Sequence, residues 1–366
     1  MRLAITSFVF LAACAGGHPL QSGDDAAGPD APIDPTGDGG VDAPPAPVTC
    51  GGSVCRADQT CSTGVCTFGC VGSHVPGDYA TIQGAIDALA ATGTDSTICL
   101  AATQYAESTI YVRDSASHHK ALKIIGESMA RTTINAEVHV QAGWASVLIQ
   151  GVHISVPNTR TALYSQGPDL TVKLVGTKLS GLTGIDAYQR QDLSLDGCEI
   201  AADGGYGLSM FANVSGPLTA RVENSYFHGG YAVKSSTNGY AIDLALINNT
   251  VKDAEVGVDL SGATTAVVAN NIFTGATSYA MQWLAPAMIT RENNALWNNV
   301  TNYGGLASDG AGYLKTDCLL ETSGRVPTLR AGSPCLAAGD GAVGSTHDFY
   351  GAPRGASPDL GAVEAP

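Results

Sequence analysis

The sequence predicts an all-β fold, a parallel β-helix solenoid, and three observations carry that prediction. Charged residues make up 14% of the 366 residues and glycine numbers 45. That balance disfavours long helices, which are rich in Glu, Lys, Arg and Leu, and suits turns and strands. The apolar residues Ile154, Leu179, Ile200, Phe227, Val251, Phe273 and Leu296 recur at steps of 25, 21, 27, 24, 22 and 23 residues, a period that marks stacked repeats. Three residues before each of them stands Gly151, Gly176, Gly197, Asn224, Asn248, Asn270 or Asn293. Gly and Asn tolerate a left-handed backbone at least cost, so each coil is expected to turn a corner there.

The elements follow in chain order. Arg2 precedes an apolar run ending at Ala13, the length of a signal-peptide core and too short to span a bilayer, so residues 1–13 are expected to be a signal peptide. Leu11-Ala12-Ala13-Cys14 resembles the lipobox of bacterial lipoproteins, which implies cleavage before Cys14 and lipidation of that cysteine. Several acyl chains on one residue give stable anchoring. Residues 14–49 follow as a disordered acidic tether: from 15 on they hold seven prolines, seven glycines and six aspartates with no Lys or Arg, too little apolar surface to offset the entropy of ordering.

Five cysteines then fall within residues 50–70: Cys50, Cys55, Cys61, Cys66 and Cys70. In an exported chain this density predicts a disulfide module. The spacing lacks the paired CxxC and histidines of a zinc site, so no metal is expected. Of three connectivities for the first four, Cys50 to Cys61 and Cys55 to Cys66 is the expected one. Cys70 is then within reach of Cys99, and Cys318 of Cys335. Cys198 remains as a small buried thiol.

The solenoid is expected over residues 76–300. Just past each corner, Val152, Thr177, Cys198, Ser225, Asn249, Asn271 and Asn294 should form an inward stack, and the corner asparagines are expected to bond along the axis. A second strand per coil runs through Gly184–Tyr188, Gly207–Phe211, Ala232–Ser236 and Gly257–Ser261, with Ile185, Leu208, Val233 and Val258 inward. A third runs Leu193–Asp196, Ala220–Glu223, Leu244–Ile247 and Ala266–Ala269, ahead of the corner. Residues 301–366 close the structure.

The coils resemble right-handed parallel β-helix proteins of the pectate-lyase-like group over about residues 76–366. Pro76-Gly77-Asp78-Tyr79-Ala80-Thr81-Ile82-Gln83 with Ala85-Ile86-Asp87-Ala88 looks like that group's N-terminal entry. There a short helix, capped by Asp78 or Thr81 and stopped at Gly93, covers the open end of the solenoid. Ser333-Pro334-Cys335, Asp348-Phe349-Tyr350-Gly351-Ala352-Pro353-Arg354 and Asp359-Leu360-Gly361-Ala362-Val363-Glu364 resemble the closing segment of many secreted bacterial β-helix proteins. The resemblance implies fold and export, and no reaction.

Enzymes on this fold act on polysaccharides, which directs attention to outward residues. On the second strand these read Tyr164, Asp186, Ser209, Lys234, Asp259 and Gln282, with Tyr188 and Phe211 beside them. Tyr164, Asp186, Tyr188, Phe211 and Lys234 are the candidate ligand-binding residues, since planar rings beside short polar groups suit a sugar. Asp186 and Asp259 lie three coils apart, about 14 Å at about 4.8 Å per coil, beyond the range of a glycosidase pair. Asp196 and Glu223, about 5 Å apart beside Arg221, form the one constellation compatible with catalysis, with calcium as a possible cofactor and a nearby Arg or Lys, Arg221 or Lys173, as base. A solvated charge ladder explains the same residues. Gln104-Tyr105-Ala106-Glu107 resembles the first motif of pectin methylesterases, without the rest of their set. His228-Gly229-Gly230 lacks the aspartates of polygalacturonases.

Net charge is −15 with scattered basic residues, so nucleic acid is not expected as a partner. The membrane is expected to be met only through the lipid anchor. The favoured reading is a surface lipoprotein of the outer membrane or cell surface that binds polysaccharide or another envelope component without catalysis or cofactor. A calcium-assisted polysaccharide lyase or hydrolase and a structural envelope spacer are the alternatives.

Overall fold

The computed structural model describes residues 49–50, 53–55, 59–116, 119–214, 216–262, 264–284 and 288–365. The expected signal peptide, the expected lipidation site Cys14 and the expected tether lie outside the described residues apart from Thr49. From Ser73 onward three parallel sheets wind about one axis. The first holds nine strands, from Gln104–Tyr105 to Ala295–Trp297, each beginning just past a corner. The second runs from Thr109–Val112 through Thr161–Gln166 and Thr183–Tyr188 to Thr301–Gly305. The third begins at Ser73–Val75 and ends at Met288–Glu292, with ten strands.

The register is the expected one. Ile185, Leu208, Val233 and Val258 are mutual neighbours along the second sheet, as are Asp196, Glu223, Ile247 and Ala269 along the third. The inward column is fully buried, and Phe227 and Phe273 are its largest side chains; burying each such side chain stabilises by about 1.5–3 kcal/mol. Two strands depart from the expectation of separate short segments: Glu199–Ala212 and Tyr226–Thr237 run unbroken from the first sheet into the second. They bend at Gly204 and at Gly229-Gly230, all at positive φ, where glycine supplies the conformation without a turn.

All seven corner residues have positive φ, from 47° at Asn293 to 66° at Gly151. The axial hydrogen bonds, however, belong to the next position. Asn249 Nδ2 donates to Asn271 Oδ1 at 3.0 Å, and Asn271 Nδ2 to Asn294 Oδ1 at 2.9 Å, all buried. The corner asparagines Asn224, Asn248 and Asn270 instead bond to the C-terminal segment. Cys198 is buried in the inward stack with its Sγ 3.6 Å from the Leu174 and Asp196 carbonyls.

Helix α1 (Ile82–Ala90) covers the N-terminal end, with Ile82, Ala85 and Ile86 buried. Thr81 is its cap, accepting from the Gly84 N–H at 3.0 Å. Glu107 completes the cap by accepting from the N–H groups of Ile82 and Gln83 at 2.8 and 3.2 Å, so the acid of the esterase-like motif serves the helix N-terminus. Cys50–Cys61, Cys55–Cys66, Cys70–Cys99 and Cys318–Cys335 are disulfides. The module is held against the coils by Phe68, whose ring lies so close to Gly151 that a Cβ there would meet it at 2.4 Å.

Candidate functional site

The outward face of the second sheet carries the expected ligand-binding residues. Tyr164, Asp186, Ser209, Lys234 and Asp259 occupy successive coils at one register position, and Gln166, Tyr188 and Phe211 occupy the next outward one. Strand alternation turns their partners inward and leaves these side chains outside. The rings form a longer column than the sequence suggested. Tyr111, His139, Tyr164, Tyr188 and Phe211 follow one another at centroid distances of 5.3, 5.3, 5.1 and 6.0 Å, spanning four coil steps, about 19 Å. Tyr111 and His139 were legible in the same register and belong with the set.

Asp186 is the register neighbour of Tyr164 and lies two residues before Tyr188 on the same strand. The Tyr188 hydroxyl donates to its Oδ2 at 3.4 Å. Burial, then the Asp186 charge, pushes the Tyr188 phenol up to about 12 and raises that of Tyr164 for the same two reasons. Two coils on, Lys234 lies over the rings of Tyr206 and Tyr231, 5.2 and 5.4 Å from their centroids, and 3.6 Å from Asp259 Oδ2. Asp259 is buried, which raises its pKa against the pull of Lys234. Its Oδ1 has no hydrogen-bond partner among the described residues.

The acidic constellation before the corner takes a different form. Asp196 and Glu223 are register neighbours, as are Ser194 and Arg221. Glu223 is paired with Arg221, and Arg221 lines an open groove of about 500 Å³ on the third sheet with Asp192, Thr219 and Asp243. Asp196 is engaged differently. It is buried beneath the C-terminal segment, where His347 Nε2 donates to its two oxygens at 2.9 and 3.1 Å and Asn224 Nδ2 donates at 3.1 Å. A calcium ion needs six to eight oxygen ligands. A carboxylate already taken by two N–H donors, next to one neutralised by Arg, does not fit that requirement.

The C-terminal segment clasps the corner. Asn224 Nδ2 donates to Ser345 Oγ, Asn248 Nδ2 to the Asp359 carbonyl and Asn270 Nδ2 to the Asp340 carbonyl, at 2.8–3.1 Å. The closing motif holds its own shape: Asp348 accepts from the N–H groups of Tyr350, Ala352 and Glu364, and the buried Arg354 donates to Glu364 at 2.7 Å. These groups are spent on structure.

One cluster escaped the sequence reading. Glu199, on the first sheet, has Lys178 Nζ and Arg325 Nε each at 2.5 Å and His228 Nε2 at 3.8 Å. Burial raises its pKa, but His228, Arg325 and Lys178 outweigh that and hold it at about 2. Beside it, burial and then the Lys178 charge lower His153 to about 4, leaving a neutral imidazole 2.8 Å from Ser180 Oγ. Lys178 and Glu199 are adjacent in register, a signal available from the repeat. Arg325 stands 126 residues from its partner and gave none.

With this geometry in hand, comparison with known proteins concerns the fold. The family described as right handed beta helix region matches residues 163–319. No curated protein matches the chain. Among solved structures, pectate lyase Pel9A is similar at 11% identity and a TM-score of 0.51, over 80% of this chain and 96% of the lyase. The A-module of the Azotobacter vinelandii mannuronan C-5 epimerase AlgE4 aligns at 14% identity over 72% and 98% of the two chains, with a TM-score of 0.36. The sheet order, the coil period and the family match agree that this chain is a right-handed parallel β-helix protein of pectate-lyase-like fold.

Proposed function

We propose that the protein is an exported, lipid-anchored β-helix that binds polysaccharide along the outward face of its second sheet and does not cleave it. The observation that carries this reading is the ring column from Tyr111 to Phe211 with Asp186 and Lys234 on the same face. An extended glycan can lie parallel to such a column, meeting one ring at each coil step and the Asp186 carboxylate beside Tyr164 and Tyr188. Export is supported by four disulfides, which persist in oxidising compartments, and by the signal-like run ending in Cys14. The absence of cleavage is supported by the state of the corner acids: Asp196 is bonded to His347 and Asn224, and Glu223 is held in an ion pair with Arg221.

The test is to titrate the purified protein with neutral, acidic and amino-bearing oligosaccharides, with and without calcium, while following ultraviolet absorbance of unsaturated ends and reducing ends. Binding without new ends is the expected result. Calcium-dependent cleavage would replace this reading with the lyase one.

A further inference from the structure

Resting on that reading, we infer that the second-sheet face is built for a basic glycan, one that carries free amino groups, and that Asp186 is the residue that receives the ammonium. The chain is strongly acidic, with net charge −15. Among the described residues, one lysine and one arginine approach the rings of this face. Lys234 is committed to Asp259 and to the Tyr206 and Tyr231 rings, so its charge is balanced on the spot. Arg113 lies over Tyr111, 5.5 Å from the ring centroid, at the far end of the column and three coils from Asp186.

Asp186 is in the opposite situation. No lysine, arginine or histidine pairs with it among the described residues, and its polar neighbour is the Tyr188 hydroxyl. Tyr164 and Tyr188, 5.1 Å apart, border it, and their phenols respond to its charge. Asp186 is half-buried beside Tyr188, and a partly dehydrated carboxylate attracts an incoming cation more strongly than one in open water. The faces of the same rings favour an ammonium over an anion. A polyuronate brought to this face would place its carboxylates beside Asp186, a like-charge contact that selects against it.

Calorimetric titration with three defined probes tests this: a β-1,4-glucosamine oligomer, its fully N-acetylated counterpart and an oligogalacturonate of equal length. The glucosamine oligomer should bind best, by about tenfold or more over the other two, as a charge-assisted contact implies. Asp186→Asn should erase that preference and leave binding of the N-acetylated oligomer unchanged, whereas Asp243→Asn, on the third sheet, should alter neither. Circular dichroism melting confirms that both variants fold. Equal or tighter binding of the N-acetylated oligomer or oligogalacturonate, or a preference that survives Asp186→Asn, overturns the inference while leaving polysaccharide binding standing. Failure of all three probes to bind contradicts the broader reading and this one with it.

Discussion

Asn248 and Ser345 are 97 residues apart in sequence and meet at one corner of the solenoid, where the Ser345 N–H donates to Asn248 Oδ1 at 3.0 Å. The same asparagine donates from Nδ2 to the Asp359 carbonyl at 3.1 Å. One residue type therefore meets two demands at this point: a backbone at φ 53° and a bidentate grip on the C-terminal segment.

Two substitutions separate those demands. Asn248→Gly keeps the left-handed backbone and loses both hydrogen bonds, so it should cost about 1–2 kcal/mol. Asn248→Val adds the strain of a β-branched residue at positive φ and should cost about 2–4 kcal/mol. Chemical denaturation checks the order, and equal stability of wild type and both variants would remove the corner from the account.

The glycine corners meet a different neighbour. Gly151 lies under the Phe68 ring at φ 66°, so Gly151→Ala should destabilise by about 1–3 kcal/mol through strain and overpacking. Combining it with Phe68→Ala should cost less than the sum of the two changes, because both act on one contact. Strict additivity in thermal melts would show that the module does not pack as described.

These two corners mark how far the sequence reaches. The left-handed requirement is local, so a column of only Gly and Asn revealed seven corners and, through their spacing, the coils. What chose between Gly and Asn was invisible, because Phe68 and Ser345 approach from distant parts of the chain. The axial asparagine ladder was placed one residue early for the same reason: corner side chains without known outside partners look free to stack. Strands Glu199–Ala212 and Tyr226–Thr237 were divided because their bending glycines carry the same residue signature as a turn. At the candidate site, Tyr164, Asp186, Tyr188 and Phe211 follow from register alone, while the engagement of Asp196 by His347 depends on a contact across 151 residues.

Stability should fall with pH in two windows. His153 is lowered from 6.5 to about 4, so the unfolded chain binds its proton first, and stability present above about pH 6.5 is lost on the way to pH 4. Glu199, lowered from 4.5 to about 2, contributes stability present above about pH 4.5 that is lost towards pH 2. Each shift is worth on the order of 2–3 kcal/mol. His153→Gln should flatten the upper window and Glu199→Gln the lower, read as denaturation midpoints against pH. Identical profiles for all three proteins would contradict both assignments.

The proposed membrane attachment rests on Cys14. In a bacterial host the wild-type protein should fractionate with membranes and take up labelled fatty acid, and Cys14→Ser should do neither. Equal labelling of the two would exclude lipidation at this residue.

The most direct measurement sets the two faces of the solenoid against each other. Affinity for a bound glycan and release of new chain ends are compared in Tyr164→Ala/Tyr188→Ala, which opens the ring column, and in Asp196→Asn/Glu223→Gln, which neutralises the corner acids. Binding by the first variant should fall by about tenfold or more, since each lost aromatic contact is worth on the order of 1 kcal/mol. The second should bind as wild type does, and no protein should release ends. The opposite pattern, with binding intact in the tyrosine variant and calcium-dependent cleavage by wild type abolished in the acid variant, would contradict the account.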